Sequence, residues 1–241
     1  MGLVTITGIV LSSSDVGEFD KRLVILTKES GRVTAFAKGA RRPNNPLVAA
    51  CSPFCFGTFD AFEGRNSYHI SKANITNYFR DLVTDYEKVC LGSYFLEVAD
   101  YNSVEGVDEK ARLALLYQSL KALESGKFSN RLLKNIYDLK SWVLNGEYPN
   151  VFQCMLCGRT DSLKYFSIKH HGMLCSDCGS MEAGIEIGQS TLYAMQFIVS
   201  SKIEKLYTFV LNNETEEELT RILASYRLNY ISHKYKSEEF L

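Results

Sequence analysis

Two Cys-x-x-Cys-Gly frames carry the clearest chemistry in this 241-residue chain. Cys154-Met155-Leu156-Cys157-Gly158 and Cys175-Ser176-Asp177-Cys178-Gly179 leave 17 residues between Cys157 and Cys175. Four thiolates so spaced can close tetrahedrally on one Zn²⁺, with each glycine allowing its knuckle to turn tightly. All four ligands, Cys154, Cys157, Cys175 and Cys178, are sulfur and no coordination position stays open, so the metal is structural rather than catalytic. A thioredoxin-type dithiol is the rival reading, but such a pair opens a helix within a βαβ pattern, which neither frame has. An iron–sulfur cluster is the other metal chemistry the pattern allows. His170 and His171 lie close by; with four cysteines present they read as solvated loop histidines.

A second candidate site is basic. Ala37-Lys38-Gly39-Ala40-Arg41-Arg42-Pro43-Asn44-Asn45-Pro46 holds three cations within five residues among Gly and Pro, as a loop that clamps phosphate would. The contrary reading is a merely solvated basic loop. Lys38, Arg41 and Arg42 are the expected phosphate contacts, with Lys21 and Arg22, and then Arg32, Arg65 and Lys72, extending the strip. Phe36, Phe54, Phe56 and Tyr68 lie in adjoining strands, where rings can stack on bases, although most should be core.

The elements that position these residues follow from periodicity. Leu3 to Leu11, Arg22 to Thr27, Gly31 to Ala37, Phe56 to Phe62 and Tyr68 to Ala73 are rich in β-branched and aromatic residues, joined twice by hairpin-length connections. Five strands without an intervening helical pattern suggest a closed OB-type barrel, a fold that commonly binds oligonucleotides. From Leu82 the apolar period lengthens to three and four. Helices are expected to about Tyr101, from near Asp108 to just before Ser125, and from about Leu132 to Asn145, the three forming an antiparallel bundle. Lys164 to Ile168 and Gly172 to Leu174 read as two short ribbon strands. Helix resumes from Thr191 to Ser200, a shorter element spans Ile203 to Val210, and a last helix starts at Thr215, capped by a Thr215/Glu218 box. The fold class is therefore α+β: an OB-type domain at 1–80, helical parts at 81–150 and 182–241, and a zinc module at 151–181.

Composition narrows the function. With 46% apolar residues the chain can bury a sizeable core, yet no run of some 18 apolar residues offers a membrane span. The start lacks a signal-peptide pattern, and seven cysteines, four in metal spacing, suit a reducing cytoplasm. Net charge is −1, but residues 1–80 hold ten Lys/Arg against six Asp/Glu, so a polyanion would be steered to that end. There is no P-loop, nucleophile elbow or His-Glu-x-x-His pair, which favours a binding protein over an enzyme.

The barrel, the basic loop, the helices and the inserted knuckles, in that order, resemble the bacterial RecO family of recombination mediators. The resemblance covers essentially the whole chain. It is most specific at Gly17-Glu18-Phe19-Asp20-Lys21-Arg22, at Lys38-Gly39-Ala40-Arg41-Arg42-Pro43 and at the knuckles. It implies a cytoplasmic, nucleoid-associated repair protein that binds single- and double-stranded DNA and anneals complementary strands. It also implies work with RecR to load RecA onto DNA coated by single-strand-binding protein, whose acidic tail would dock among Arg112, Lys121, Arg131 and Lys134. A zinc-ribbon scaffold for RNA or protein, without annealing, is the alternative, and a metal-dependent nuclease a third.

Overall fold

A computed structural model describes residues 2–241. The described residues divide into two compact units, one of residues 2–125 with 235–241 and one of residues 126–234.

The first unit is built on a closed barrel in the order β1-β2-β3-β5-β4. Its strands are β1 (Leu3–Val16), β2 (Asp20–Thr27), β3 (Gly31–Ala37), β4 (Phe56–Glu63) and β5 (Tyr68–Asn77). All neighbours are antiparallel except β3 and β5, which run parallel and close the barrel. Alternation turns Ile6, Val10, Leu23, Ile25, Val33, Ala35, Phe59, Ala61 and Ile70 inward, each at most 5% exposed. Burying such a side chain contributes roughly 1.5–3 kcal/mol, which sets the register, since a one-residue slip would turn the whole set outward. A bulge between Val10 and Ser12 lets β1 bend and run on to Val16, five residues past the expected end.

Three helices complete this unit: α1 (Arg80–Val83), α2 (Tyr86–Asn102) and α3 (Lys110–Ser125). Asp85 caps α2 by accepting from the Lys88 N–H at 3.2 Å. Tyr117 of α3 packs on Phe56 and Phe79, at 4.5 and 5.6 Å between ring centres. The last residues return to α2, where Tyr235 sets its ring edge-on to Tyr94 and Tyr101. The Glu97 carboxylate accepts from the backbone N–H groups of Lys236 and Ser237 and from the Ser237 hydroxyl.

The second unit holds α4 (Asn130–Asn145), β6 (Leu163–Ser167), β7 (Gly172–Cys175), α5 (Ser176–Met181), β8 (Ile185–Glu186), α6 (Gln189–Ser200) and α7 (Asn213–Tyr230). The third expected helix, α4, thus belongs to this unit rather than to a bundle with α2 and α3. It is buried almost throughout from Leu132 to Trp142 because α6 and α7 both pack on it. The buried Lys140 ammonium donates to the carbonyls of Ile198, Val199 and Ser201 at 3.1, 2.9 and 2.7 Å, satisfying the free C-terminal end of α6. Helix α7 starts one turn earlier than expected. Its cap is Asn212, which accepts from the Thr215 N–H at 2.9 Å, while Glu218 turns to the Gly188 N–H and the Thr191 hydroxyl. The expected element at Ile203 to Val210 reduces to a 3-10 turn, Ile203–Lys205. Among the described residues no helix is long and apolar enough to cross a membrane.

Candidate metal centre and nucleic-acid interface

The four knuckle cysteines come together. Cys175 ends β7 and caps α5, Cys178 lies one turn into α5, and Cys154 and Cys157 sit on the preceding turn. That turn is pinned to β7 by the Met155 N–H on the Met173 carbonyl at 2.9 Å, and closed by the Gly158 N–H on the Cys154 carbonyl, also 2.9 Å. The two glycines serve different ends. Gly158 supplies a left-handed φ of 74°, whereas Gly179 lies in α5, where a Cβ would come within 2.3 Å of the Tyr165 ring.

All four sulfurs lie within 4.8 Å of one another, and Cys157 Sγ is 3.7 Å from Cys175 Sγ. A tetrahedral thiolate site with metal–sulfur bonds of about 2.3 Å needs sulfur–sulfur edges of about 3.8 Å, so the donor set fits a metal of zinc's size. Electrostatics point the same way. Burial opposes the Cys154 thiolate, but the N–H groups of Cys157, Cys175 and Leu156 outweigh it and hold that thiol down to about 6. Hydrogen bonding to Cys175, then burial, then bonds to Cys157 and Cys154 push Cys178 up to about 12. A thiolate thus forms readily at Cys154 and less readily at Cys178, and a bound cation favours the charged form of both.

The histidines are not simply solvated. His170 Nε2 lies 3.1 Å from Glu182 Oε2, and the His171 ring packs on Tyr230 at 3.7 Å between centres. Neither joins the sulfur cluster.

The basic loop after β3 is fastened to the turn between β1 and β2. The Gly39 N–H donates to Asp20 Oδ1 at 2.7 Å, the Arg41 N–H to the Phe19 carbonyl at 2.9 Å, and Asn45 Nδ2 to the Lys38 carbonyl at 3.1 Å. Lys38 and Arg42 are exposed beside a depression of about 290 Å³ that Glu18, Phe19, Asp20 and Asn45 also line. The Arg42 guanidinium lies 4.7 Å over the Phe19 ring. Arg41 is not free in the way its sequence context suggests. It pairs with Asp15 at 3.3 Å and donates to the Gly17 and Glu18 carbonyls.

The other cations divide. Arg22 is exposed and its Nη2 lies 3.4 Å from Thr34 Oγ1. Lys21 is half-buried at the barrel end, where its charge opposes the effect of burial on the Cys51 thiol. Arg32 is committed to an ion pair with Asp100 of α2. Arg65 and Lys72 are exposed. Of the four rings, Phe54 and Tyr68 are core and Phe56 packs on Tyr117, leaving Phe36 outside, stacked on His69.

The residues expected to receive an acidic tail fall in both units. Arg112 and Lys121 belong to the first unit, Arg131 and Lys134 to the second. Arg112 is buried against Glu109 at 2.9 Å, Lys134 is held by Asp138 at 2.6 Å, and Arg131 faces Glu216 and Glu217. Arg112, Lys134 and Arg131 thus meet acidic neighbours one helical turn or one helix away.

Two family models match the chain: the N-terminal domain of recombination protein O over residues 1–79 and its C-terminal domain over residues 83–239. The chain belongs to the RecO family. It is similar to the DNA repair protein RecO of Acetivibrio thermocellus, 28% identical over all of this chain and 97% of the relative. The RecO of Clostridium perfringens is 29% identical over 100% and 98%, and that of Caldanaerobacter subterraneus 30% over 96% and 94%. The matching models are named for recombination and the relatives for DNA repair, which places the chain in a family of recombinational DNA repair.

Two of the stretches that carry the RecO resemblance, Gly17 to Arg22 and Lys38 to Pro43, are one structural unit, bonded backbone to backbone and side chain to backbone. Sequence reasoning missed the fasteners Asp15 and Asp20 and the ring Phe19. Nothing local marks Asp20 as the partner of a glycine 19 positions on.

Proposed function

We propose that this RecO-family chain binds single- and double-stranded DNA through Lys38 and Arg42, with Arg22 extending the contact, and anneals complementary strands. The supporting observation is the loop itself: two exposed cations on a backbone held still by Asp20, Phe19 and Asn45. Preorganised cations lose little side-chain and loop freedom on meeting phosphate, and neutralising two strands at once lowers their mutual repulsion. Base pairing then drives annealing. The Glu18 and Asp20 carboxylates on the rim weaken the field, so affinity should be modest, and it should fall with salt in proportion to the few phosphate contacts made. RecR, the tail of single-strand-binding protein and, through them, RecA are the partners of this reading.

Cys154, Cys157, Cys175 and Cys178 would hold one Zn²⁺, which supplies a crosslink of four thiolates. This chain's residues do the rest, the Met155–Met173 hydrogen bond and the Tyr165 ring on Gly179 holding the knuckles together.

An annealing assay with complementary oligonucleotides, with and without Mg²⁺, tests the reading. Duplex formation without cleavage is the expected result. Binding of RNA or protein with no acceleration of annealing would replace it with a scaffold role, and Mg²⁺-dependent cleavage with a nuclease.

A further inference from the structure

Five residues in one register line cross the outside of the barrel. Leu3 on β1 pairs with Phe62 on β4, Phe62 with His69 on β5, His69 with Phe36 on β3, and Phe36 with Arg22 on β2. Their chain neighbours Leu23, Ala35, Ala37, Ala61 and Ile70 fill the core, so alternation turns the line outward. Phe62 is 43% and Leu3 64% exposed. The Phe36 and His69 rings stack at 5.9 Å with 27° between planes. Outward positions of an antiparallel sheet ordinarily carry polar side chains, and a row of rings there marks a surface that meets something.

The charges around the row identify its occupant. Arg22 closes one end, and Lys38 begins the basic loop two residues past Phe36. Carboxylates on the same strands as the row accept hydrogen bonds from the protein, Asp60 from the Thr5 hydroxyl at 2.7 Å, Glu63 from the Tyr68 hydroxyl at 3.4 Å and Asp20 from the Gly39 N–H at 2.7 Å. Aromatic faces bordered by cations suit a polyanion that also presents flat rings. With strands about 4.8 Å apart, the three rings span about 10 Å, room for roughly two bases.

We infer that Phe36, His69 and Phe62 form a platform on which the bases of a single strand stack while its phosphates follow Arg22 and Lys38. The inference rests on the DNA binding proposed above and divides it: cations hold either form of DNA, and the rings hold only bases whose faces are free. In a duplex those faces are covered by neighbouring bases, so the platform adds nothing there.

The experiment measures anisotropy of labelled oligothymidine and of a duplex of equal length with the full chain. The variants are Phe62→Ala, Phe36→Ala with Phe62→Ala, Phe62→Trp, and Lys38→Ala with Arg42→Ala. Each lost ring should weaken single-strand binding by roughly five- to a hundred-fold. Duplex affinity should stay within about twofold and the salt slope should not move, because no phosphate contact is lost. The cation pair should weaken both forms. Phe62→Trp should bind like the parent, and oligothymidine should quench its emission relative to the parent, whose only tryptophan is Trp142. If the parent binds both forms and the ring variants bind oligothymidine equally well, the platform is overturned, the DNA reading stands, and the row is a protein surface. Ring variants that lose both forms equally also overturn it. A parent that binds neither form overturns both proposals.

Discussion

The Arg41 guanidinium spans from the loop after β3 to the Asp15 carboxylate near the end of β1, Nε to Oδ2 3.3 Å, and its Nη1 donates to the Glu18 carbonyl at 3.1 Å. A cation in the middle of a basic motif is thereby spent on holding the motif's shape. Lys38 and Arg42, its neighbours in sequence, are left to face solvent.

The three cations should therefore respond differently to truncation. Lys38→Ala and Arg42→Ala should change stability by less than about 0.5 kcal/mol and each reduce the slope of log affinity against log salt by roughly 0.7 on single strands. Arg41→Ala should cost up to about 1 kcal/mol, since the pair is half exposed, and leave the slope nearly intact. Urea denaturation and a salt titration of all three variants check this. Equal slope changes would place Arg41 on the phosphates after all.

The metal prediction has a stoichiometric and a pH arm. Protein purified without chelator should carry one zinc per chain, and Cys157→Ser should release it and unfold the knuckles, because roughly 10 kcal/mol or more of binding energy is coupled to folding there. Before metal enters, the Cys178 thiol keeps its proton up to about 12. Uptake must displace that proton, so affinity should fall as pH falls. Zinc release followed with a colorimetric chelator between pH 8 and pH 5 gives the sign, and release that grows with rising pH would contradict it.

Cys51 offers a contrasting thiol. Burial in the barrel raises it to about 11, with the Lys21 charge opposing and Cys55 adding slightly. The folded state prefers the neutral thiol, so this contribution to stability is complete below the ordinary thiol range and is lost as pH climbs through about 11. Iodoacetamide at pH 8 should leave Cys51 and Cys55 unmodified in folded protein, as mass spectrometry of tryptic peptides would report. Rapid native labelling of Cys51 would mean that the barrel end opens.

Lys140→Met should be among the costliest single changes in the second unit. It keeps the aliphatic stem but leaves the Ile198, Val199 and Ser201 carbonyls without their ammonium, a loss of about 2–4 kcal/mol at roughly 1 kcal/mol or more per buried acceptor. Chemical denaturation monitored by Trp142, on the same helix, reads it directly. A midpoint unchanged from the parent would show that water replaces the ammonium.

The barrel and the metal cluster were legible because each is written in local patterns. Alternation of apolar residues dictates which face of a strand is buried, and two Cys-x-x-Cys-Gly frames dictate a turn with two sulfurs on one side, whatever surrounds them. The start of α3 was legible because Asp108 stands beside it and accepts from the Lys110 N–H at 3.0 Å, whereas the stripe expected from Leu82 breaks before α2, which Asp85 caps. The start of α7 was not, because Thr215 and Glu218 satisfy the capping-box pattern while Asn212 lies closer to the first turn and Glu218 finds Gly188 and Thr191 across the fold. The same reason governs the charges. Sequence counts cations, but whether Arg41, Arg32 or Arg112 is available depends on Asp15, Asp100 and Glu109, and a pair forms wherever the backbone brings opposite charges within reach. The row from Leu3 to Arg22 depends on folding most completely. It draws one residue from each of five strands, and no spacing along the chain relates them until the barrel closes.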